Sequence, residues 1–132
     1  MIRFITGTDT GVGKTAVAAA MAQRLRKEGK RVAYYKPVQT GVRPGEPGDA
    51  QFVAAATGIE VHEGQRFAPA LAPSVAAEEA GQEVRYEGLL KTGRKLAGAT
   101  DVLLVEGSGG LLVPLTIKHT MADLALDLGL VV

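Results

Sequence analysis

Met1-Ile-Arg-Phe-Ile-Thr-Gly-Thr-Asp-Thr-Gly-Val-Gly-Lys-Thr-Ala16 opens the chain, and the reading of this stretch decides the fold. Ile2, Phe4 and Ile5 read as a short buried strand. Gly7, Gly11 and Gly13 then make a loop, and Lys14-Thr15 begins a helix. Strand, glycine-rich loop and helix in that order form a phosphate-binding loop. The glycines let backbone N–H groups turn inward around phosphate oxygens, and the helix N-terminus adds unpaired donors and partial positive charge. Lys14 is then placed to reach the terminal phosphates, and the Thr15 hydroxyl to bind Mg²⁺. The spacing departs from the common form by one place, because Thr8 stands where the first glycine belongs and Gly7 comes just before it.

Outward from the loop, residues 14–28 have helical period, with Val17, Met21 and Leu25 on one face and Ala18 and Ala22 beside them. Gly29 is placed to end the helix. Arg31 to Lys36 reads as a second strand, which makes a βαβ unit with a parallel sheet and a right-handed crossover. Lys36 is expected at the carboxyl end of that strand, with Pro37 stopping the ladder. Ligand crevices of open α/β sheets lie at the carboxyl ends of strands, so Lys36 should share a mouth with Lys14. The plainer alternative is a surface lysine whose stem snorkels. Residues 37–48, rich in proline and glycine, read as a loop in which Thr40 is the one hydroxyl. Asp49 opens an alanine-rich helix over 49–57 that ends at Gly58, where the carboxylate is either a ligand or simply an N-cap.

Residues 59–82 carry little pattern and read as an irregular connection, with a helical turn or two around 74–80. His62 and His119 have no partner at ligand spacing and are expected in solvent. Residues 85–97 regain helical period through Leu89, Leu90, Leu96 and Ala97, and Gly98 ends the segment. Asp101 to Glu106 is the clearest strand, since Val102-Leu103-Leu104-Val105 is apolar throughout, as in a strand covered on both faces. Four apolar residues followed by an acid match the second signature of phosphate-loop enzymes, whose carboxylate helps hold Mg²⁺. Gly107-Ser108-Gly109-Gly110 follows, a run that lets backbone donors approach an anion closely, unless it is an ordinary flexible turn. Thr120 can cap a helix to about Leu128, with Asp123 in its first turn. Leu130-Val131-Val132 begins what reads as another buried strand. A strand averages about five or six residues, so the chain is expected to be the N-terminal part of a longer protein.

With 132 residues, 46% of them hydrophobic and 22% charged, the chain suits one globular domain. A net charge of +1 gives no electrostatic case for nucleic acid or a membrane surface. The absence of cysteine excludes disulfides, thiolate metal sites and a cysteine nucleophile, and fits a cytoplasmic location. No apolar run approaches the roughly 18 residues of a membrane span, and the N-terminus does not read as a signal peptide. The expected architecture is α/β, a doubly wound and mostly parallel sheet with helices on both faces. The expected site is that of a nucleoside triphosphate with Mg²⁺. Thr15, Asp49 and Glu106 supply hard oxygen ligands, and Lys14 and Lys36 concentrate positive charge.

Thr6-Gly-Thr-Asp-Thr-Gly-Val-Gly-Lys-Thr15, Tyr35-Lys-Pro-Val-Gln-Thr-Gly41, Gly48-Asp49 and Val105-Glu-Gly-Ser-Gly-Gly110 together resemble dethiobiotin synthetase, with the four motifs in that family's order. The resemblance covers essentially the whole chain and about the first three-fifths of such an enzyme. It implies an ATP- and Mg²⁺-dependent ligase of biotin synthesis that carboxylates 7,8-diaminononanoate with CO₂ and closes the ureido ring. By matched position, Gly11, Val12, Gly13, Lys14, Thr15 and Ala16 would wrap the triphosphate, and Asp49, Glu106, Gly107, Ser108 and Gly109 would complete the nucleotide side. Lys36 and Lys14 would be the catalytic lysines. Thr40 and Thr10 would face the diamine, and Thr15, Asp49 and Glu106 would hold the metal. The resemblance also implies a homodimer. Gly11 stands where the family often has an acid, and Ser74 where it often has a histidine. An ATP-switched dimerising protein of the same superfamily would carry a second lysine five residues before Lys14, where this chain has Asp9. A cobyrinate-type amidotransferase synthetase would need a glutaminase domain as well.

Overall fold

The computed structural model describes residues 1–8 and 13–130. In chain order the elements are β1 (Ile2–Ile5), α1 (Lys14–Lys27), β2 (Val32–Thr40), α2 (Asp49–Thr57), β3 (Glu60–Phe67), α3 (Pro73–Glu79), α4 (Tyr86–Gly98), β4 (Val102–Glu106) and α5 (Met121–Asp127). The strands form one sheet in the order β1-β4-β2-β3, and every pairing is parallel. The crossover through α1 leaves one strand position open between β1 and β2, and β4 fills it.

Side chains of successive strand residues point to opposite faces, and the two cores follow that alternation. Val32, Tyr34, Val102, Leu104 and Ile5 pack with Ala18, Ala22 and Leu25 of α1 and with Ala50 and Val53 of α2. Ala33, Tyr35, Leu103 and Val105 pack on the other face with α3, α4 and α5, through Ala76, Leu89, Leu96, Met121 and Leu124 among others. The sheet is therefore wound on both faces, as the sequence predicts.

Several elements differ from the sequence reading. The buried face of α1 is centred on Ala18, Ala19, Ala22 and Leu25, while Val17 is half exposed. Small alanine side chains bring the helix axis close to the sheet, and the larger Val17 is turned out. Pro37 does not stop β2, which runs on to Thr40 and includes four residues expected in a loop. The pairing of β2 with β4 ends at Tyr35, but pairing with β3 continues on the other side to Thr40. Pro37 is skipped in that ladder, between Lys36↔Glu63 and Val38↔Gln65. Gly64 lies opposite it, where an added Cβ would stand 2.1 Å from the Pro37 carbonyl oxygen.

The strand β3 lies within the segment expected to be irregular. Its sequence, EVHEGQRF, is polar because it is a sheet edge and most of its residues are only partly covered. α3 falls where a short helix was expected, with Pro73 in its first turn. α5 begins with the expected cap. The Thr120 hydroxyl accepts from the Asp123 N–H at 3.3 Å, and the Asp123 carboxylate accepts from the Thr120 N–H at 2.7 Å. Leu130 lies in no regular element, and the strand expected to continue through Val131 and Val132 falls outside the described residues.

Candidate active site

Sheet order assembles the site. Ile5 and Glu106 are register partners at the carboxyl ends of β1 and β4. This sets Glu106 directly beside the start of the glycine loop. On the other side of β4, Lys36 is the first residue of β2 beyond the shared ladder. Lys36 is thus not the end of its strand, but it does emerge where β4 stops, and the expectation of a common mouth with Lys14 holds.

A cleft of about 330 Å³ is lined by Gly13, Lys14, Thr15, Ala16, Lys36, Gln39, Thr40, Asp49, Glu106, Ser108 and Gly109. Lys36 and Glu106 are 4% and 1% exposed, so their charges need partners. The Lys36 ammonium donates to Glu106 Oε2 at 2.8 Å and to the Gly107 carbonyl at 3.1 Å, and pairs with Asp49 Oδ2 at 2.8 Å. The Thr15 hydroxyl donates to the same Glu106 oxygen at 3.0 Å. Lys14, the first residue of α1, is also buried. Gly107 contributes its carbonyl rather than a cleft wall. A Cβ there would meet Met121 Cγ at 3.1 Å and Phe4 Cε1 at 3.2 Å. Ser108 is buried, and its hydroxyl donates to the Val38 carbonyl, tying the loop after β4 to β2. Thr10, Gly11 and Val12 lie outside the described residues.

Asp49 is not the N-cap of α2, since Gly48 takes that position with extended backbone. Its carboxylate is therefore free to face Lys36. Burial works to raise the Asp49 pKa, but the charge and hydrogen bond of Lys36, joined by hydrogen bonds with Glu106 and Thr15, together hold the carboxyl below its usual value. Glu106 goes the other way. Its deeper burial raises its pKa against the pull of Lys36, and the nearby Asp49 charge adds to the rise. One ammonium thus serves two acids unequally. Glu106 Oε1 is buried without a hydrogen-bond partner among the described residues, as is the Tyr34 hydroxyl. Burial, then the Glu106 and Asp49 charges, push the Tyr34 phenol well above its ordinary value.

A second groove of about 740 Å³ continues from the cleft and shares Thr40, Ser108 and Gly109 with it. Its remaining walls are mostly apolar, including Ala70, Leu71, Pro73, Leu112, Val113 and Pro114. Sequence reading missed this groove, which comes from two loops far apart in the chain. It also missed Gln39, whose place inside the Tyr35–Gly41 motif was the available signal. The two histidines have partners after all. His62 Nε2 lies 2.6 Å from Glu60 Oε1. His119 stacks on the Tyr86 ring at a centroid separation of 3.7 Å, with its Nδ1 3.0 Å from the Thr116 hydroxyl. Neither histidine lines the cleft or the groove.

Two buried lysines, two carboxylates and a hydroxyl gathered at a helix N-terminus are groups that could hold a polyanion together with a hard cation. Residues 3–132 match the AAA domain family. The chain is 49% identical over 131 residues to the ATP-dependent dethiobiotin synthetase BioD of Anaeromyxobacter sp. (strain Fw109-5), covering 96% of this chain and 59% of that protein. It is 45% identical to the enzyme of that name from Corynebacterium diphtheriae, covering 96% of this chain and 57% of that protein. It is 49% identical to the one from Streptomyces coelicolor, covering 94% of this chain and 53% of that protein. The chain thus spans between half and three-fifths of the length of these relatives. The motif resemblance to dethiobiotin synthetase extends along nearly the whole chain, and by the match over residues 3–132 the chain belongs to the AAA domain family of phosphate-loop proteins.

Proposed function

We propose that the protein is an ATP-dependent dethiobiotin synthetase, converting 7,8-diaminononanoate, CO₂ and ATP to dethiobiotin, ADP and phosphate. The observation that carries this reading is one continuous mouth. Lys14, Lys36, Thr15, Asp49 and Glu106 gather in a charged cleft, and it opens into a long groove with mostly apolar walls. A plain ATPase has no use for the groove. An aliphatic diamine acid does, since its hydrocarbon chain gains by leaving water along Leu71, Val113 and Pro114.

The residues fit Mg²⁺. The donors are two carboxylates and a hydroxyl, a set that leaves room for the waters and phosphate oxygens Mg²⁺ retains. Among the described residues no group of three or more His, Cys, Asp or Glu is gathered as a closed cage. The buried Glu106 Oε1, which has no hydrogen-bond partner among the described residues, is an acceptor that a bound cation could use. When bound, the metal would neutralise charge on the phosphates, held by Thr15, Asp49 and Glu106.

In the proposed reaction one amine of the substrate takes up CO₂ and loses a proton, giving a carbamate. A carbamate oxygen attacks the γ-phosphorus and the bond to the ADP oxygen breaks. The second amine then attacks the carbamoyl carbon, closing the ring as phosphate leaves with its oxygen and the amine proton is released. Lys14 and Lys36 stabilise the charge on the transferring group, and Thr40 stands where the cleft meets the groove. Phosphoryl transfer of this kind relies on positioning and electrostatics more than on a strong general base. No histidine or cysteine is required.

We place the enzyme in the cytoplasm as a homodimer, following the resemblance and the cysteine-free sequence. No helix among the described residues is long and apolar enough to cross a membrane. The test is to supply the intact protein with ATP, Mg²⁺, bicarbonate and the diamine, and to look for the cyclic urea by mass. Dethiobiotin with one ADP per turnover is the expected result. A product formed only with glutamine, or ADP release indifferent to the diamine, would overturn it.

A further inference from the structure

We infer that Arg66, on the edge strand β3 and outside the cleft lining, is a positioning residue that sets Asp49 for metal binding. Its guanidinium is fully engaged. Nε and Nη2 donate to the two Glu63 oxygens at 2.9 and 2.7 Å. Nη1 donates to the carbonyls of Arg43 and Glu46 at 2.9 and 2.5 Å, and Nη2 also donates to Gln51 Oε1 at 3.1 Å. Arginine has five N–H groups in a fixed fork, and here each has an acceptor. Glu63 supplies the anchor, and the other contacts all reach the 43–48 loop or the first turn of α2.

The path to Asp49 is short. Gln51 Oε1, held by Arg66, accepts the Gly48 N–H at 2.7 Å. Gln39, the register partner of Arg66 across β2 and β3, accepts the Asp49 N–H on its Oε1 at 2.9 Å. Gly48 is wedged between the two, so that a Cβ there would lie 2.9 Å from Gln39 Oε1 and 3.1 Å from Arg66 Nη2. A cross-strand pair therefore holds the Gly48–Asp49 turn from below by its backbone. The Asp49 side chain is left clear to meet Lys36 at 2.8 Å. The loop it steadies contains Pro44, Gly45, Pro47 and Gly48 and belongs to no helix or strand, so it has no ladder of its own to fix it. Partners that orient a metal ligand from behind typically change metal affinity by about 10–100-fold when removed.

The inference rests on the proposed metal role of Asp49, and the experiment separates the two. Mn²⁺ binding to the intact protein with a non-hydrolysable ATP analogue is followed by electron paramagnetic resonance. The proteins compared are wild type, Asp49→Asn, Arg66→Lys, Gln51→Leu and the Asp49→Asn/Arg66→Lys double variant. Weak Mn²⁺ binding by wild type, or unchanged binding by Asp49→Asn, would remove the metal role of Asp49 itself. If that role stands, Arg66→Lys keeps the charge but loses the fork, and is expected to weaken Mn²⁺ about tenfold. Affinity for the metal-free analogue should stay within about twofold, and the double variant should bind no more weakly than Asp49→Asn. Unchanged Mn²⁺ affinity in Arg66→Lys and Gln51→Leu would overturn the inference, as would full additivity in the double variant. Failure of both variants to fold would make Arg66 a structural pin alone and would overturn it too.

Discussion

At the residue scale the centre of the site is one ammonium shared by two carboxyls. Lys36 pairs with both Asp49 and Glu106, and it holds the space between them. Removing one partner of a buried ion pair costs about 3–5 kcal/mol, because the charge left behind is uncompensated. Lys36→Met leaves two acids facing one another and should lower stability by about that amount, read from urea unfolding. Mg²⁺ alone should then raise the melting temperature of Lys36→Met more than that of wild type, since a cation can enter where the ammonium stood. Equal shifts in both proteins would show that lysine and metal do not share this space. Tyr34 gives the opposite expectation. Its hydroxyl is buried with no hydrogen bond of good geometry among the described residues, and it lies close to the Glu106 carboxyl, so Tyr34→Phe removes a poorly satisfied polar group. The change should be neutral or stabilising by up to about 1 kcal/mol in the same assay, and a loss above 1 kcal/mol would point to a missed bond.

At the scale of elements, legibility followed burial. β4 was plain because it is covered on both faces, so all of its middle must be apolar. β3 was hidden because an edge strand needs no such run, and Gly64 breaks its pattern further. That glycine is nonetheless specified by contact, since it lets the Pro37 carbonyl pass. Gly64→Ala should cost about 3 kcal/mol by overpacking against backbone that cannot rotate away. A midpoint shift in urea below a third of that size would mean the two strands can part freely. α5 was legible from its cap alone. The Thr120 N–H and then its hydroxyl hold the Asp123 carboxyl below its ordinary value of 3.8. A lowered folded-state pKa contributes stability that is complete above the unfolded value and is lost as pH falls through the folded one. The stability difference between wild type and Asp123→Asn should therefore be constant from neutral pH down to about 3.8 and shrink below it. Thr120→Ala removes the reciprocal bond and should cost about 1 kcal/mol.

Across the whole molecule, the residues that carry charge were readable and the shape around them was not. Lys14, Thr15, Lys36, Asp49 and Glu106 stand in short motifs, because the proposed phosphate and metal chemistry would need particular atoms where strands and helices meet the cleft. The groove is lined by Leu71, Leu112, Val113 and similar residues, which look like any loop until folding brings two distant segments together. Gln39 and Arg66 were overlooked for the same reason, as their work depends on a register between strands, one of which was not recognised. The cleft and the groove join at Thr40, Ser108 and Gly109, and that junction makes a prediction about the molecule as a unit. Gly109 has φ +70°, and a Cβ added there would stand 2.7 Å from Val113 Cγ2. Gly109→Ala must therefore shift the wall common to both chambers, and should raise KM for ATP and for the diamine together. Leu71→Ser touches the groove alone. It removes an aliphatic side chain that is 41% exposed here and that the proposed diamine would cover, worth roughly 1–2 kcal/mol or some tenfold in the diamine KM, with the ATP KM unchanged. Steady-state kinetics with each substrate varied in turn decides the matter. If Leu71→Ser raised the ATP KM as much as the diamine KM, the two chambers would not hold different substrates.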